Sequence, residues 1–175
     1  GTIAPESGAH AEYVCVPEDG TVELTPVGVS DAEAAAIADN GLTAMLFLRD
    51  VADLQPGQSI LINGASGGIG TFAVQLATHV GCEVTGVCST RNVDLVRSLG
   101  ADRVVDYTTT DVTATGETYD VIFDAVGKGS FAGFADALNP GGLYMTTVPS
   151  VRIFLDMART RLVGDRRAIF AATGM

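Results

Sequence analysis

The stretch Ser59-Ile60-Leu61-Ile62-Asn63-Gly64-Ala65-Ser66-Gly67-Gly68-Ile69-Gly70 decides the fold of this chain. Its first five residues form an apolar run typical of a buried strand, and a glycine-rich turn follows. Residues 71–77 then have the composition of a helix. Strand, glycine-rich turn and helix in that order are the context that a dinucleotide-binding fingerprint requires, although Ala65 stands at its first glycine position. The stretch therefore predicts a strand-turn-helix unit that binds an anion.

Each part of the turn has a physical task in this prediction. Gly67 has no Cβ, so its backbone can approach a pyrophosphate closely, and Gly70 lets the helix pack tightly on the strand. The free N–H groups and the positive dipole end of the helix face the anion. The predicted cofactor contacts of the turn are Ala65, Ser66, Gly67, Gly68 and Ile69.

Apolar strands and amphipathic helices alternate beyond the turn. The predicted strands are 83–88, 103–106, 120–124 and 143–148, with helices over 93–99 and 130–138. Near-continuous apolar strands separated by helices indicate a parallel sheet covered on both faces. The predicted fold is therefore α/β, a doubly wound parallel sheet (Rossmann fold), in a domain over residues 31–175.

The two flanking regions carry weaker patterns. A helix is predicted from an N-cap at Asp31 to Leu48, with an interruption near Asn40-Gly41. After Pro149 the pattern favours a helix over 151–162 and a last strand over 167–172. Residues 1–30 are predicted to form a short strand and a linker rather than a domain.

Composition excludes several classes of function. A net charge of −11 in 175 residues argues against nucleic acid and anionic membrane surfaces. No apolar run reaches the roughly 18 residues of a membrane span, and no secretion signal begins the chain, so we expect a cytoplasmic protein. Cys15, Cys82 and Cys88 lack metal-ligand spacing and are expected to be buried free thiols. Neither His10 nor His79 has a partner at a triad spacing, so neither is predicted to be catalytic.

The segment Ser89-Thr90-Arg91 ends the second predicted strand, about twenty residues after the turn. A carboxylate at this point would hydrogen-bond the ribose of NAD and repel a 2′-phosphate, whereas a cation and hydroxyls do the reverse. No acid occupies the site before Asp94, so the segment predicts NADP(H). The alternative is that Ser89 or Thr90 caps a helix while Arg91 is only solvated. Capping and phosphate binding use the same geometry and can coexist.

A second candidate contact follows the predicted strand 120–124. Val126 and Gly127 stand at the carboxyl edge, where ligands of open α/β sheets bind, and they are predicted to contact the nicotinamide ribose. The alternative for Gly127 is a turn glycine without a ligand. Lys128 is a candidate anion contact, with an ordinary surface lysine as the alternative.

Further motifs occur in one order along the chain. They are Asn40-Gly41-Leu42-Thr43-Ala44, Leu54-Gln55-Pro56-Gly57, Ser98-Leu99-Gly100-Ala101-Asp102, residues 119–127 and residues 138–142. Together with the glycine-rich turn they resemble the medium-chain dehydrogenase/reductases, on the zinc-independent quinone oxidoreductase side. The resemblance implies an NADPH-dependent oxidoreductase that transfers hydride between nicotinamide and a small molecule: a quinone, an enone or another activated carbonyl.

The resemblance also implies roles for single residues. Thr43 corresponds to a hydroxyl that relatives place close to the nicotinamide, with a purely structural threonine as the alternative. Tyr107 resembles a family tyrosine near the 2′-phosphate, with a plain surface aromatic as the alternative. Asp39 stands where zinc-dependent relatives have a cysteine ligand, four residues before Thr43, so no metal is predicted.

The family pattern extends beyond this sequence at both ends. Members begin with a catalytic β-barrel domain, to which only residues from about 8 to 18 correspond here, and they end with one more strand and a helix. We therefore expect residues 1–30 to be a barrel remnant with a linker, and residues 31–175 to be a C-terminally incomplete cofactor domain. Residues 167–172 resemble the edge strand through which members pair as homodimers.

Two other functions stay open at this point. One is a non-catalytic NADP(H)-binding module or pseudoenzyme fragment. The other, a zinc-type alcohol dehydrogenase, is disfavoured by Asp39.

Overall fold

The computed structural model of the chain describes residues 12, 13, 15, 17 and 23–172. The predicted barrel remnant lies almost entirely outside the described residues, as does His10. Cys82 and Cys88 are buried as expected, but the prediction for Cys15 is wrong, because its side chain is exposed.

Six strands form one parallel sheet. They are β1 (Ser59–Asn63), β2 (Glu83–Cys88), β3 (Arg103–Asp106), β4 (Tyr119–Asp124), β5 (Leu138–Thr146) and β6 (Arg167–Phe170). Their order across the sheet is β3-β2-β1-β4-β5-β6. The order reverses between β1 and β4, and the carboxyl edge at such a reversal is where open α/β sheets bind ligands. The predicted doubly wound α/β fold is confirmed.

Helices cover both faces of this sheet. They are α2 (Leu42–Met45), α3 (Gly68–Val80), α4 (Val93–Ser98), α5 (Phe131–Phe134) and α6 (Val151–Leu162). A further helix, α1 (Asp31–Ala36), precedes them and buries no residue. Helices α2, α3 and α4 bury side chains in the core on one face, whereas α5 and α6 contribute to the core on the other. Among the described residues, no helix has the length and apolar character needed to cross a membrane.

The two cores follow from the alternation of side chains along the strands. Ile60 and Ile62 point to the first core and Leu61 to the second, since successive strand residues face opposite sides. All three are fully buried. Phe47 stacks on Phe123 in the first core, with ring centroids 4.9 Å apart. Burial on both faces explains why the strands are continuous apolar runs.

Polar pairs at both ends fix the register of β1 against β4. Ser59 donates its N–H and hydroxyl to one carboxylate oxygen of Asp120, at 2.8 and 2.9 Å, and Asn63 donates its amide to Asp124 at 2.9 Å. Asn139 on β5 reaches the other oxygen of Asp120 at 2.8 Å. Burial alone would raise the pKa of Asp120, but the hydrogen bonds from Asn139 and Ser59 outweigh it and lower that pKa.

The N-terminal helix differs from its prediction. Its N-cap is Ser30, not Asp31: the Ser30 side chain accepts from the N–H of Glu33, whose carboxylate in turn accepts the Ser30 N–H. The helix is not interrupted near Asn40-Gly41 but continues through π-helical turns at Ile37–Gly41 and Leu46–Val51. The π-helical turn at Ile37–Gly41 contains Asn40 and Gly41, so the helix continues through the position where the sequence predicted a break.

The later elements also differ in their bounds. Strand β5 begins at Leu138 rather than 143, because Asn139 is tied to Asp120 and the intervening residues continue beside β4 with a register shift. The helix predicted over 130–138 is a short α5 capped by Ser130 and followed by a 3₁₀ turn at Ala135–Ala137. Helix α6 has its predicted bounds, and the last strand ends at Phe170.

Candidate functional site

A cleft of about 1020 Å³ runs along the carboxyl edge of the sheet. Its walls are the turn after β1, the segments that follow β2 and β3, and the loop that leads from β4 into α5. This is the edge at which the strand order reverses. The fold therefore places the cleft where the sequence predicted a ligand.

The glycine-rich turn has the tight geometry that was predicted. Gly64 adopts a left-handed conformation with φ of +85°, and the N–H groups of Gly64 and Ala65 both donate to the carbonyl of Val87, at 3.1 and 3.0 Å. A Cβ added to Gly70 would collide with the carbonyl oxygen of Gly64. The close packing of helix on strand predicted for Gly70 is therefore confirmed.

The N-terminus of α3 opens toward the cleft. Gly67 is its N-cap, and no side chain among the described residues caps it. The first N–H groups of an α-helix have no intrahelical partner, and they carry the positive end of its dipole. Ser66 and Gly67 line the cleft, and Asn92 donates to the Ser66 hydroxyl at 2.9 Å. This end of the helix can bind an anion through backbone amides.

The other predicted residues of the turn, Ala65, Gly68 and Ile69, contribute to the packing of the helices and the sheet. Ala65 is fully buried in the first core, and Ile69 packs against it. A Cβ added to Gly68 would lie 2.6 Å from the side-chain oxygen of Asn40. Gly68 thus lets the N-terminal helix approach α3.

The segment after β2 brings Ser89 and Arg91 to the cleft. Ser89 has the extended backbone of an N-cap before the 3₁₀ turn Thr90–Asn92, but its side chain makes no capping hydrogen bond. Thr90 is not among the residues that line the cleft, and its hydroxyl donates to the Asp106 carboxylate at 2.5 Å. The carboxylate of Asp106 also accepts the N–H and hydroxyl of Thr108, at 2.9 and 2.7 Å.

Sequence reasoning missed Asp106. The segment after β2 has no acid before Asp94, whereas Asp106 comes from β3, where it lies opposite Cys88 in the parallel register. Hydrogen bonds from Thr90 and then Thr108 lower the pKa of Asp106. Asp106 could have been found by aligning the predicted ends of β2 and β3, which lie side by side in a parallel sheet. The spacing of residues along a single segment does not show this proximity.

Asp124 is the second functional residue that sequence reasoning missed. Its side chain is 0% exposed, and it accepts hydrogen bonds from five groups. Three are the N–H groups of Val126, Gly127 and Gly129 at 3.3, 3.0 and 2.7 Å. The others are the Asn63 amide at 2.9 Å and the Tyr144 hydroxyl at 3.0 Å. This carboxylate fixes the loop that forms the far wall of the cleft.

The other predicted site residues divide into those at the cleft and those beside it. Tyr107 and Val126 are exposed and line the cleft, as does Lys128. Gly127 has a φ of +66° and packs on Val148, at a small neighbouring cavity. Thr43 is only 5% exposed and belongs to the buried face of α2, outside the lining of the cleft. The contacts predicted for these residues with a cofactor stay predictions.

The charges of the lining favour an anion. Arg91 and Lys128 face the cleft, and Asp111 is the one acidic side chain that the described residues contribute to its lining. The chain as a whole carries −11. Two cations beside an open helix N-terminus stand out against that background, and they suit a ligand with several phosphates.

A metal site is not found in the described part of the chain, where no three His, Cys, Asp or Glu side chains are grouped to hold an ion. Asp39, at the position compared with a zinc ligand, lies on the exposed side of the N-terminal helix. The described side chains do not fit a zinc centre, for which three protein ligands are needed.

Together, the strand order, the glycine-rich turn and the cationic cleft define a doubly wound domain of the dinucleotide-binding class. Residues 68–159 match the family described as zinc-binding dehydrogenase. The chain belongs to this family, within the medium-chain dehydrogenase/reductase superfamily.

Relatives and solved structures of this superfamily are similar over most of the chain. A trans-enoyl reductase (pgmF) of Aspergillus terreus is 43% identical over 143 residues, which cover 79% of this chain and 40% of the relative. The chloroplastic quinone-oxidoreductase QR1 of Triphysaria versicolor is 36% identical over 93% of this chain and 52% of its own length. The solved CurF ER cyclopropanase of the curacin A biosynthetic pathway superposes with a TM-score of 0.77 and 31% identity, over 91% of this chain and 49% of that one. The chain therefore spans about half the length of the relatives it matches.

Tyr144 should make the stability of the site sensitive to alkaline pH. Burial and the nearby negative charge of Asp124 raise the pKa of Tyr144 above its ordinary value of 10.0. The contribution of neutral Tyr144 is complete below pH 10 and is lost above it, as the unfolded chain releases the phenolic proton. Tyr144→Phe should cost about 1 kcal/mol at neutral pH through the lost hydrogen bond, yet lose less stability than wild type between about pH 9 and about pH 11.

Urea unfolding across this pH range measures the effect. Tyr13→Phe is the control, because Tyr13 is 90% exposed, and it should retain the alkaline slope of the wild type. Equal slopes for wild type and Tyr144→Phe would contradict the prediction.

Proposed function

We propose that this chain is the NADP(H)-binding part of an oxidoreductase that transfers hydride between nicotinamide and a quinone, an enone or another activated carbonyl. The observation that carries the proposal is the uncapped N-terminus of α3, which opens into a cleft that also contains Arg91. The names of the relatives, a trans-enoyl reductase and a quinone-oxidoreductase, support the substrate class.

In this proposal, different walls of the cleft bind different parts of NADP(H). The pyrophosphate would lie at Ser66 and Gly67, on the amides that begin α3. The 2′-phosphate would lie at Arg91 and Ser89, with Thr90 and Tyr107 beside them. The nicotinamide would lie toward Val126 and Gly127, in the loop that Asp124 holds.

The bound cofactor supplies the hydride, and the protein supplies position and electrostatics. The Asp124 hydrogen bonds fix the loop at the nicotinamide end before any ligand arrives. A preformed loop orients the reacting ring at little entropic cost on binding. Val126 is 43% exposed there, so a further surface is needed to exclude water from the reacting atoms.

Arg91 should set the preference for NADPH over NADH. Removing a charged partner of the 2′-phosphate costs about 1.5–3 kcal/mol, so Arg91→Ala should bind NADPH roughly tenfold to a hundredfold more weakly and NADH nearly as well as wild type. Fluorescence titration of both cofactors measures this.

Arg97→Ala is the matched control, because Arg97 lies on α4 outside the cleft and pairs with Asp94. It should leave both affinities unchanged. Equal affinities of the wild type for the two cofactors, or no loss in Arg91→Ala, would refute the assignment.

The 175-residue chain should bind NADPH but reduce naphthoquinone or an enone at close to the uncatalysed rate. Positioning of donor and acceptor supplies roughly 7–11 kcal/mol in well-ordered sites, and an exposed nicotinamide forfeits much of it. Steady-state NADPH oxidation by a chain of verified mass, after binding has been shown, measures the rate. Rapid turnover would show that this chain carries a complete catalytic site. Slow turnover that a flanking domain does not restore would favour the non-catalytic module.

We also propose that the chain forms a homodimer through β6. This strand lies at the end of the sheet, and no described strand pairs with its outer side. An open strand edge readily pairs with another chain, and two copies related by a two-fold axis satisfy both edges. Truncation after Gly164 should therefore give a monomer by sedimentation velocity.

Leu162→Glu is the control for the dimer, because this 85% exposed side chain lies on α6 rather than on the strand. It should remain dimeric. Circular dichroism checks that the truncated chain is folded, and a wild type that is monomeric at micromolar concentration would exclude the proposed pairing.

A further inference from the structure

Helix α6 presents a row of apolar side chains to solvent. Its buried residues, Ile153 and Thr160, face the sheet. Successive residues of an α-helix are rotated by about 100°, so residues spaced at i, i+4, i+7 and i+11 lie within about 60° of one another on the opposite side. These four residues, here called the outer row, are Val151, Leu155, Ala158 and Leu162. The three large ones are 80%, 65% and 85% exposed.

Three arginines border the outer row. The helical rotation places Arg152 and Arg159 along one side of it and Arg161 along the other, and all three are exposed. None of them lies within 4.0 Å of a carboxylate in the part of the chain that the structure describes. Their charges are therefore available to a partner.

This concentration of positive charge differs from the rest of the chain. Residues 152–167 contain five of the ten basic side chains and two acidic ones, which leaves five basic and nineteen acidic side chains elsewhere. Of the two acids, Asp165 accepts the N–H of Gly141 at 3.2 Å, and Asp156 is half-buried. Helix α6 is therefore a basic element on an acidic protein.

The apolar row and its bordering cations together indicate what kind of molecule fits this face. Contiguous exposed apolar surface marks interaction sites on soluble proteins, and the spacing of the outer row suits a helix lying alongside α6. A second copy of α6 would place arginines against arginines. An anionic membrane would repel the acidic remainder of the chain. A helix with an apolar face and acidic borders meets neither obstacle.

We propose that the outer row of α6 binds an acidic amphipathic helix of a partner protein. The apolar face of that helix packs on the outer row, and its carboxylates pair with Arg152, Arg159 and Arg161. Contact between two single helices buries less surface than a stable complex requires, so the complex is transient. None of these residues lines the cleft, so the inference does not depend on the proposed function.

A designed peptide is the probe for this surface. It has about 20 residues, enough to form a helix, with leucines at the spacing of the outer row and glutamates on both sides of them. Fluorescence anisotropy measures its binding to the 175-residue chain. We expect a Kd of roughly 10–100 μM at about 0.1 M NaCl, and binding about tenfold weaker at about 0.5 M, because salt screens exposed charges.

Two control peptides separate the shape of the probe from its charge. One has the same composition in a scrambled order, so that no face of its helix is apolar. The other has lysine in place of each glutamate and keeps the leucines. Each should bind at least about tenfold more weakly than the acidic amphipathic peptide, because the first lacks the apolar contact and the second repels the arginines.

Substitutions on α6 test the surface itself. Leu155→Glu places a carboxylate in the middle of the outer row and should weaken binding at least about tenfold. Arg159→Glu reverses one bordering charge and should weaken it about threefold to tenfold. Leu95→Glu and Arg97→Glu are the matched controls, because both side chains are exposed on α4, and each should stay within about twofold of the wild type. Thermal unfolding followed by circular dichroism checks that each variant is folded.

Several outcomes would overturn the proposal. They are no binding of the acidic peptide up to about 1 mM, equal binding of either control peptide, and unchanged binding in Leu155→Glu. Binding to phosphatidylglycerol vesicles but not to the peptide would indicate a membrane surface instead. Self-association that Leu155→Glu abolishes in sedimentation velocity would indicate a second copy, and exclusion of the peptide from a longer form of the protein would indicate another segment of the chain. Each of these three results also overturns the proposal.

Discussion

The buried carboxylate of Asp124 is the interaction on which the carboxyl edge of the sheet depends. An isolated charge without access to water would cost several kcal/mol, so the side chain is stable only while its donors stay in place. Those donors come from β1, from β5 and from three amides of the loop after β4. The cost of breaking any of them makes the loop a fixed wall of the cleft. At the opposite end of β4, the Asp120 carboxylate connects β1 and β5 by accepting hydrogen bonds from Ser59 and Asn139.

These two carboxylates also select one register for the central strands. Between them, β1 and β4 present apolar side chains, which pack in the two cores but form no side-chain hydrogen bonds. A shift would separate Asp120 from Ser59 and Asp124 from Asn63, so each carboxylate would lose the donors that β1 supplies. The apolar residues therefore drive burial, and the polar ends specify alignment.

Most strands could be predicted from the sequence, because a strand buried on both faces is a local apolar run. The bounds of β2 and β3 are those predicted, and so are those of α6. The start of β5 could not be predicted, because it depends on the contact of Asn139 with Asp120 on a neighbouring strand. The candidate site divides in the same way. The glycine-rich turn and Arg91 are visible within one segment, whereas Asp106 reaches its place only through the pairing of β3 with β2. The burial of Thr43 within the helical segment could not be predicted from the sequence, and its contact with the nicotinamide stays a prediction.

In evolutionary terms, Gly67, Gly68 and Gly70 of the turn are subject to three different constraints. Gly70 is fixed by the backbone itself, because no neighbouring substitution can move the Gly64 carbonyl away from an added Cβ. Gly68 is fixed by one side chain, so a smaller residue in place of Asn40 would make room for alanine there, and the two positions are free to change together. At Gly67 an added Cβ would meet only the Gly64 carbonyl oxygen, at 3.3 Å, a contact that a small shift relieves. The folded chain would accept a side chain at that position, and only a ligand lying against the turn requires its absence.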